Sequence, residues 1–386
     1  MSDAQVTVLD TRVVVRQRLE ELHEWYEDWK RIDNALARRA KVLGTTPIDI
    51  QRGAQIGSLR KRLLLQQVKR PFEIDPEIVR AVGYPALRQH LVEQFARLTK
   101  DERLFWLRNF MFIMTPDLRQ LNDKVARVRE YRSFGQQRNF LLGGESGMGK
   151  TTYLDWFTSN FLPAIETTRN HVPIIKIDAP EGHSPRPLFQ RIILACGMNY
   201  LQRDKEENLL QKLSTFFQQC GVEVVIIDEV EHIKSYGVRR RVLEISNMTY
   251  GVPIICASCQ PHLWVEGDPE IAGRWNDYVR LEQYAGKRLI QLLVFINLLL
   301  PFTEESFPHL HEEIASPKGQ GGIAGLIRKL TKGTVRDIML LIREASKDAI
   351  MNDLPCLNAQ VLDRTWKSIQ TRPTKRIVSV TTQEEQ

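Results

Sequence analysis

Cysteine is scarce in this chain, with five in 386 residues. Cys196, Cys220, Cys256, Cys259 and Cys356 are odd in number, and most lie in apolar runs where a reduced thiol packs as a small hydrophobe. A disulfide scaffold is therefore excluded, and a reducing cytoplasm is the expected compartment. Long apolar runs are missing too. The richest segment, 289–300, is broken by Gln291 and Asn297 and reads as a buried helix, so no membrane association is expected. The opening residues lack a basic stretch followed by an apolar one, so no secretory leader is expected. Repeats and low-complexity tracts are absent from the first 100 residues, and a composition 42% hydrophobic and 26% charged excludes a wholly disordered or fibrous chain. Acidic excess is lacking as well. The formal charge of +7 favours a polyanionic partner, because Lys and Arg replace condensed counterions on phosphates, although an evenly spread excess makes no binding stripe.

The length implies more than one packed unit. Residues 1–100 read as a mainly helical extension. Leu19, Leu22, Trp25, Trp29, Ile32 and Leu36 fall at three- and four-residue steps, and a basic stretch at 58–70 and a further helix after Asp75-Pro76 follow. From 101 to 287 short β-rich apolar runs alternate with helical stretches, which predicts a parallel sheet covered on both faces. Its strands are expected at 139–142, 172–177, 222–227, 252–256 and 278–281. Residues 288–370 read as a helical lid, with loops marked by Pro301, Ser316-Pro317, Gly319 to Gly322, Gly333 and Pro355, and 371–386 as a polar tail. The expected fold class is α/β, a three-layer αβα P-loop core with a five-stranded parallel sheet, flanked by helical regions at both ends.

The run FLLGGESGMGKTTYLDWF fits the G-x-x-x-x-G-K-[ST] pattern after a strand and before a helix. Gly144, Glu145, Ser146, Gly147, Met148, Gly149, Lys150, Thr151 and Thr152 would cradle the phosphates of ATP. The glycines let main-chain N–H groups turn inward, Lys150 reaches the β- and γ-phosphates, and the Thr151 hydroxyl ligates Mg²⁺. In VEVVIIDEVEH, Asp228 at the end of a buried strand would hold the metal. Glu229 would polarise the attacking water, as a general base must lie within reach of the proton it removes. The other reading of Asp228 and Glu229 is that they merely cap a turn.

The next strand, VPIICASCQP, ends in Ser258 and Cys259, either of which could sense the γ-phosphate. Cys256 and Cys259 also form a C-x-x-C, open to a redox or zinc reading, but no second pair completes a four-ligand site. Arg274 precedes the last core strand, the place from which an AAA+ subunit reaches its neighbour's γ-phosphate, and its rigid charged fork suits that task; Arg280 competes for the role, and a solvated surface arginine is the other reading. GTVRDIMLLI resembles the sensor 2 pattern of AAA+ lids, in which Gly333 would open a helix that carries Arg336 towards the nucleotide; a surface ion pair is the other reading. Lys234, Arg239, Arg240 and Arg241 form a basic loop that could track a phosphate backbone without reading sequence. Arg186, with Arg191, is a second such candidate. An ordinary solvated face is the alternative for both groups.

Taken together, GGESGMGKTT, VVIIDEVEHIK, VPIICASCQP, AGRW and GTVRDI resemble the TnsC/TniB family of AAA+ transposition regulators, including those of CRISPR-associated transposons. Over 110–350 the resemblance rests on motif spacing, on IDE followed by a short basic loop, and on the short connection to GRW. Ser258-Cys259 departs from the family's more usual Gly-Thr at the sensor. The resemblance implies an ATPase that assembles as a homo-oligomer, a ring or helical filament, around double-stranded DNA. It further implies recruitment by a TniQ- or TnsD-like targeting protein and activation of a DDE transposase. Two other functions share the nucleotide motifs: a helicase loader, and a nucleotide-gated signalling scaffold that does not bind DNA.

Overall fold

The computed structural model describes residues 73–74, 84–109, 112–133, 138–161, 163–165, 170–248, 251–308, 310 and 322–371. The stripe at 19–36, the basic stretch at 58–70, the loop at 311–321 and the tail from 372 lie outside them. Five strands make the central sheet: β1 (Phe140–Gly144), β2 (Ile174–Asp178), β3 (Val224–Asp228), β4 (Ile254–Ser258) and β5 (Asp277–Leu281). They run parallel in the order β2-β3-β4-β1-β5. Most strands begin about two residues later than the apolar runs. Pro173 and Pro253 stand just before β2 and β4 and have no N–H to give to a ladder. At the other end the ladders reach the candidate residues Ser258, Gly144 and Asp228: Gly143 lies opposite Ser258, Gly144 opposite Leu281, and Asp178 opposite Asp228. The carboxyl ends of the strands are thus level, the edge where open α/β sheets bind ligands.

The described helices are α1 (Tyr84–Phe95), α2 (Lys100–Asn109), α3 (Pro116–Ser133), α4 (Lys150–Ser159), α5 (Arg186–Ala195), α6 (Glu206–Gln219) and α7 (Tyr236–Asn247), then α8 (Pro261–Val265), α9 (Pro269–Arg274), α10 (Gly286–Leu299), α11 (Gly322–Thr331), α12 (Val335–Met351) and α13 (Ala359–Thr371). Alternation along each strand sends neighbours to opposite faces. Phe140, Leu142, Ile174, Val224, Ile226 and Ile255 enter one buried cluster with α2, α3, α4 and the lid helices. Leu141, Ile175, Val225, Ile227, Ile254 and Cys256 enter the other with α5, α6 and α7. With both faces covered, the strand order and layering are those of an AAA+ P-loop core.

The lid is clasped from the amino-terminal side. Arg88 of α1, 6% exposed, donates to the carbonyls of Leu298, Leu300, Phe302 and Glu304 at 2.9–3.2 Å, supplying a donor to acceptors at and beyond the end of α10. Trp106 of α2 donates its indole N–H to the Leu299 carbonyl at 2.9 Å. The described part of the amino-terminal helices therefore packs as scaffold on the lid. No helix among the described residues is long and apolar enough to cross a membrane.

Candidate nucleotide site

The phosphate loop joins β1 to α4. Gly144 has φ 148°, and a Cβ there would stand 2.8 Å from the Leu281 carbonyl oxygen, so no side chain fits where β1 meets β5. Gly147 has φ 84°, and its Cβ would press on that of Arg336 at 3.1 Å. That closeness follows from a bond between lid and loop, since the Arg336 amide donates to the Gly147 carbonyl at 2.9 Å. Thr334 caps α12 by accepting from the Asp337 amide, and the Gly333 carbonyl accepts from Tyr284 at 2.9 Å. The amino end of α12, with its partial positive charge, thus abuts the loop.

A cavity of about 700 Å³ opens there, lined by Ser146 to Thr152, Asp228, Glu229, Glu231, Cys259 and Arg336 at one end. Apolar side chains including Leu104, Leu107, Phe112, Leu292 and Met339 also border it. A charged end joined to an apolar slot suits a nucleotide. Lys150 Nζ donates to the carbonyls of Gly144 at 2.5 Å and Glu145 at 3.1 Å. Burial lowers the pKa of its ammonium, opposed by Glu231, Cys259 and Asp228. Glu145 turns away and accepts from Gln283 at 2.9 Å.

Asp228 is 1% exposed, and its Oδ2 has no hydrogen-bond partner. The cation nearest that oxygen is Lys176 Nζ at 3.5 Å, which also meets Asp155 of α4 at 2.8 Å. Burial pulls the Lys176 pKa down, but Asp155, Asp228 and Asp178 outweigh it and hold it above its ordinary value. A buried carboxylate oxygen lacking a hydrogen bond, on the same cavity as the exposed Thr151, fits a hard divalent ion that keeps several waters. Glu229 is exposed and holds φ 58°, a left-handed conformation uncommon outside glycine. Strain of this kind gathers at functional sites. Its amide donates to Asp228 Oδ1 at 3.0 Å.

The two sensor candidates separate. Ser258 is buried, accepts from the Gln260 amide at 3.0 Å and lines a smaller cavity with Lys234 and Arg239. Cys259 lines the main cavity. Burial and the neighbouring Glu231 push its thiol pKa up, leaving an S–H donor. Cys256 is fully buried on the opposite face with Trp275. Among the described residues no His, Cys, Asp or Glu group of three or more could hold a metal.

Arg274 is exposed at the end of α9 and Arg280 is exposed on β5, both outside the main cavity. The basic residues are mostly engaged within the chain. Arg239 donates to the carbonyls of Leu263, Trp264 and Glu266, Arg240 pairs with Asp268 and Glu270, and Arg241 pairs with Glu206 and Glu244. Arg186 donates to the Gln202 carbonyl, and Arg191 to that of Asp178 at 2.8 Å. Lys234 is exposed.

Glu231 and Lys176 escaped the motifs. Glu231 accepts from the Cys259 amide at 3.3 Å and links the sensor turn to Lys150. Burial would raise its pKa, but hydrogen bonds from Cys259, its own amide and Ser258 hold it below the usual carboxylate range. The signal for Lys176 was a lysine inside the apolar run VPIIKID.

Residues 103–284 match the family described as Bacterial TniB protein. No curated protein matches the chain. Among solved structures, the Thermotoga maritima RuvB Holliday junction branch migration motor is 15% identical, with 64% of this chain and 67% of that one covered and a TM-score of 0.40. Cdc6p from Pyrobaculum aerophilum is 14% identical, with 65% and 66% covered and a TM-score of 0.46. The Aeropyrum pernix ORC1 protein in complex with DNA is 15% identical, with 64% and 65% covered and a TM-score of 0.43.

Proposed function

We propose, from the membership of residues 103–284 in the bacterial TniB family, that this chain is an Mg-ATP-dependent ATPase that assembles on double-stranded DNA to regulate transposition. The observation that carries the ATPase reading is the meeting of the 144–151 loop, buried Asp228 and Arg336 at one cavity. In this reading the loop amides and Lys150 bind the phosphates, and Thr151 and Asp228 hold the magnesium. A magnesium ion held there would supply positive charge to offset the negative charge that develops on the phosphates. Glu229 takes the proton from the attacking water. The Cys259 thiol and Arg336 contact the terminal phosphate, while Arg274, exposed and away from its own cavity, serves the site of a neighbouring copy.

For DNA, Lys234 is the first contact, because the arginines beside it already have acceptors within the chain. Assembly as a ring or filament, a TniQ- or TnsD-like recruiter and a DDE transposase complete the proposal, and these rest on family membership alone. Three measurements test it. Lys150→Ala should abolish ATP binding, and Glu229→Gln should bind ATP without turnover. Electron microscopy with double-stranded DNA and a non-hydrolysable ATP analogue should reveal polymers. Bare monomers there would defeat the assembly reading, and normal turnover by Glu229→Gln would remove that residue from its role.

A further inference from the structure

We infer that Arg343 is a second arginine of the nucleotide site, donating to ring-nitrogen acceptors of a purine base at the end of the cavity away from the phosphate loop. This deepens the ATP reading and rests on it. Arg343 lies seven residues beyond Arg336 on the cavity-facing stripe of α12, about 10 Å farther along the axis at roughly 1.5 Å per residue. The Lys100–Asp353 ion pair at 2.6 Å ties the start of α2 to the end of α12, which brings Leu104 and Leu107 alongside the distal half of α12. A flat base would enter this apolar part of the cavity once the triphosphate is on the loop.

What sets Arg343 apart is its want of acceptors. Its side chain is half-buried, its Nε is buried without a partner, and it has no hydrogen bond or ion pair among the described residues. Burial lowers its pKa with no neighbouring charge to oppose it. Arg88, whose Nε also lacks a partner, has four carbonyls at its terminal nitrogens, and Arg288, on the same cavity, has Asp117 and Glu282, whereas Arg343 has neither. Guanidinium is a pure donor, so the partner that completes it must be an acceptor. Purine ring nitrogens are acceptors on an otherwise apolar disc.

The test is calorimetric titration of the full chain with Mg-ATP and with the magnesium complex of ribose 5-triphosphate, which keeps the sugar and phosphates but lacks the base. Arg343→Met should weaken ATP binding by about ten- to hundredfold, the span for losing a charge-assisted hydrogen bond. It should leave ribose 5-triphosphate binding unchanged and should not lower the melting temperature of the ligand-free protein. Equal weakening of both ligands, or unchanged ATP binding, overturns the inference. Should Arg343→Met fail to fold, Arg343→Lys carries the same comparison with a several-fold loss confined to ATP. Wild-type protein that binds neither ligand overturns the ATP reading and takes this inference with it, an outcome distinct from a selective effect of the variant.

Discussion

Replacing Lys176 by Met removes the buried cation that faces Asp228 while keeping most of its volume. At 3.5 Å and an effective dielectric of about 20, the attraction is about 5 kcal/mol. Part of it offsets the desolvation both groups have already suffered, so the expected loss is about 3 kcal/mol, at the lower end for truncating one partner of a buried pair. That is a large part of a typical stability of roughly 5–15 kcal/mol. The loss should shrink when Mg-ATP is present, because the bound divalent ion neutralises the same carboxylate. The assay is thermal or urea unfolding of wild type and Lys176→Met, each with and without Mg-ATP. Asp155→Asn is the control, since it frees one bond of the lysine and leaves Asp228 untouched, and it should cost less. A Lys176→Met protein as stable as wild type, or one destabilised equally in both conditions, would refute the electrostatic link.

Gly333→Ala should displace the lid, because φ is 77° and the added Cβ would lie 2.1 Å from the Tyr284 carbonyl oxygen. The left-handed backbone alone costs about 1–2 kcal/mol, and both melting temperature and ATP affinity should fall; unchanged values would free Gly333 from this role. Arg88→Met should lower stability by a few kcal/mol by removing the side-chain donor from the buried carbonyls of Leu298 and Phe302, as denaturant titration would reveal. Glu231, held below its ordinary pKa, contributes stability that is present above about pH 4.5 and lost as pH falls through the folded value. Glu231→Gln should therefore flatten the acid limb of stability below the ordinary glutamate pKa, and an unaltered limb would count against it. Lys234→Ala should reduce the magnitude of the salt slope of DNA binding by about 1, whereas Arg240→Ala should change it little, a contrast that salt titration decides.

The strand pattern could be read from apolar runs, yet the runs misplace the ladders by about two residues. Prolines delay the entrances, and at the other end main-chain pairing continues past the apolar runs, to Gly144 on β1 and Asp228 on β3. The phosphate loop was legible because four fixed positions fell between a strand and a helix. Glu231 and Arg343 were not, because their roles depend on the sensor turn and on α2, elements far away in the chain. The run Arg239-Arg240-Arg241 illustrates the converse. Its charge looked available for DNA, but Glu206, Asp268 and Glu270 lie about 30 residues away in sequence and claim it in three dimensions.

The bond from the Arg336 amide to the Gly147 carbonyl makes a closed mechanical circuit with the Arg88 clasp. Occupancy of the loop bears on α12, α12 packs against α2, and α1 and α2 grip the carboxyl end of α10. In the ATP reading, a load applied at Tyr84 would pass along these contacts to the phosphate loop, and by thermodynamic reciprocity nucleotide occupancy would act back on α1 with the same free energy.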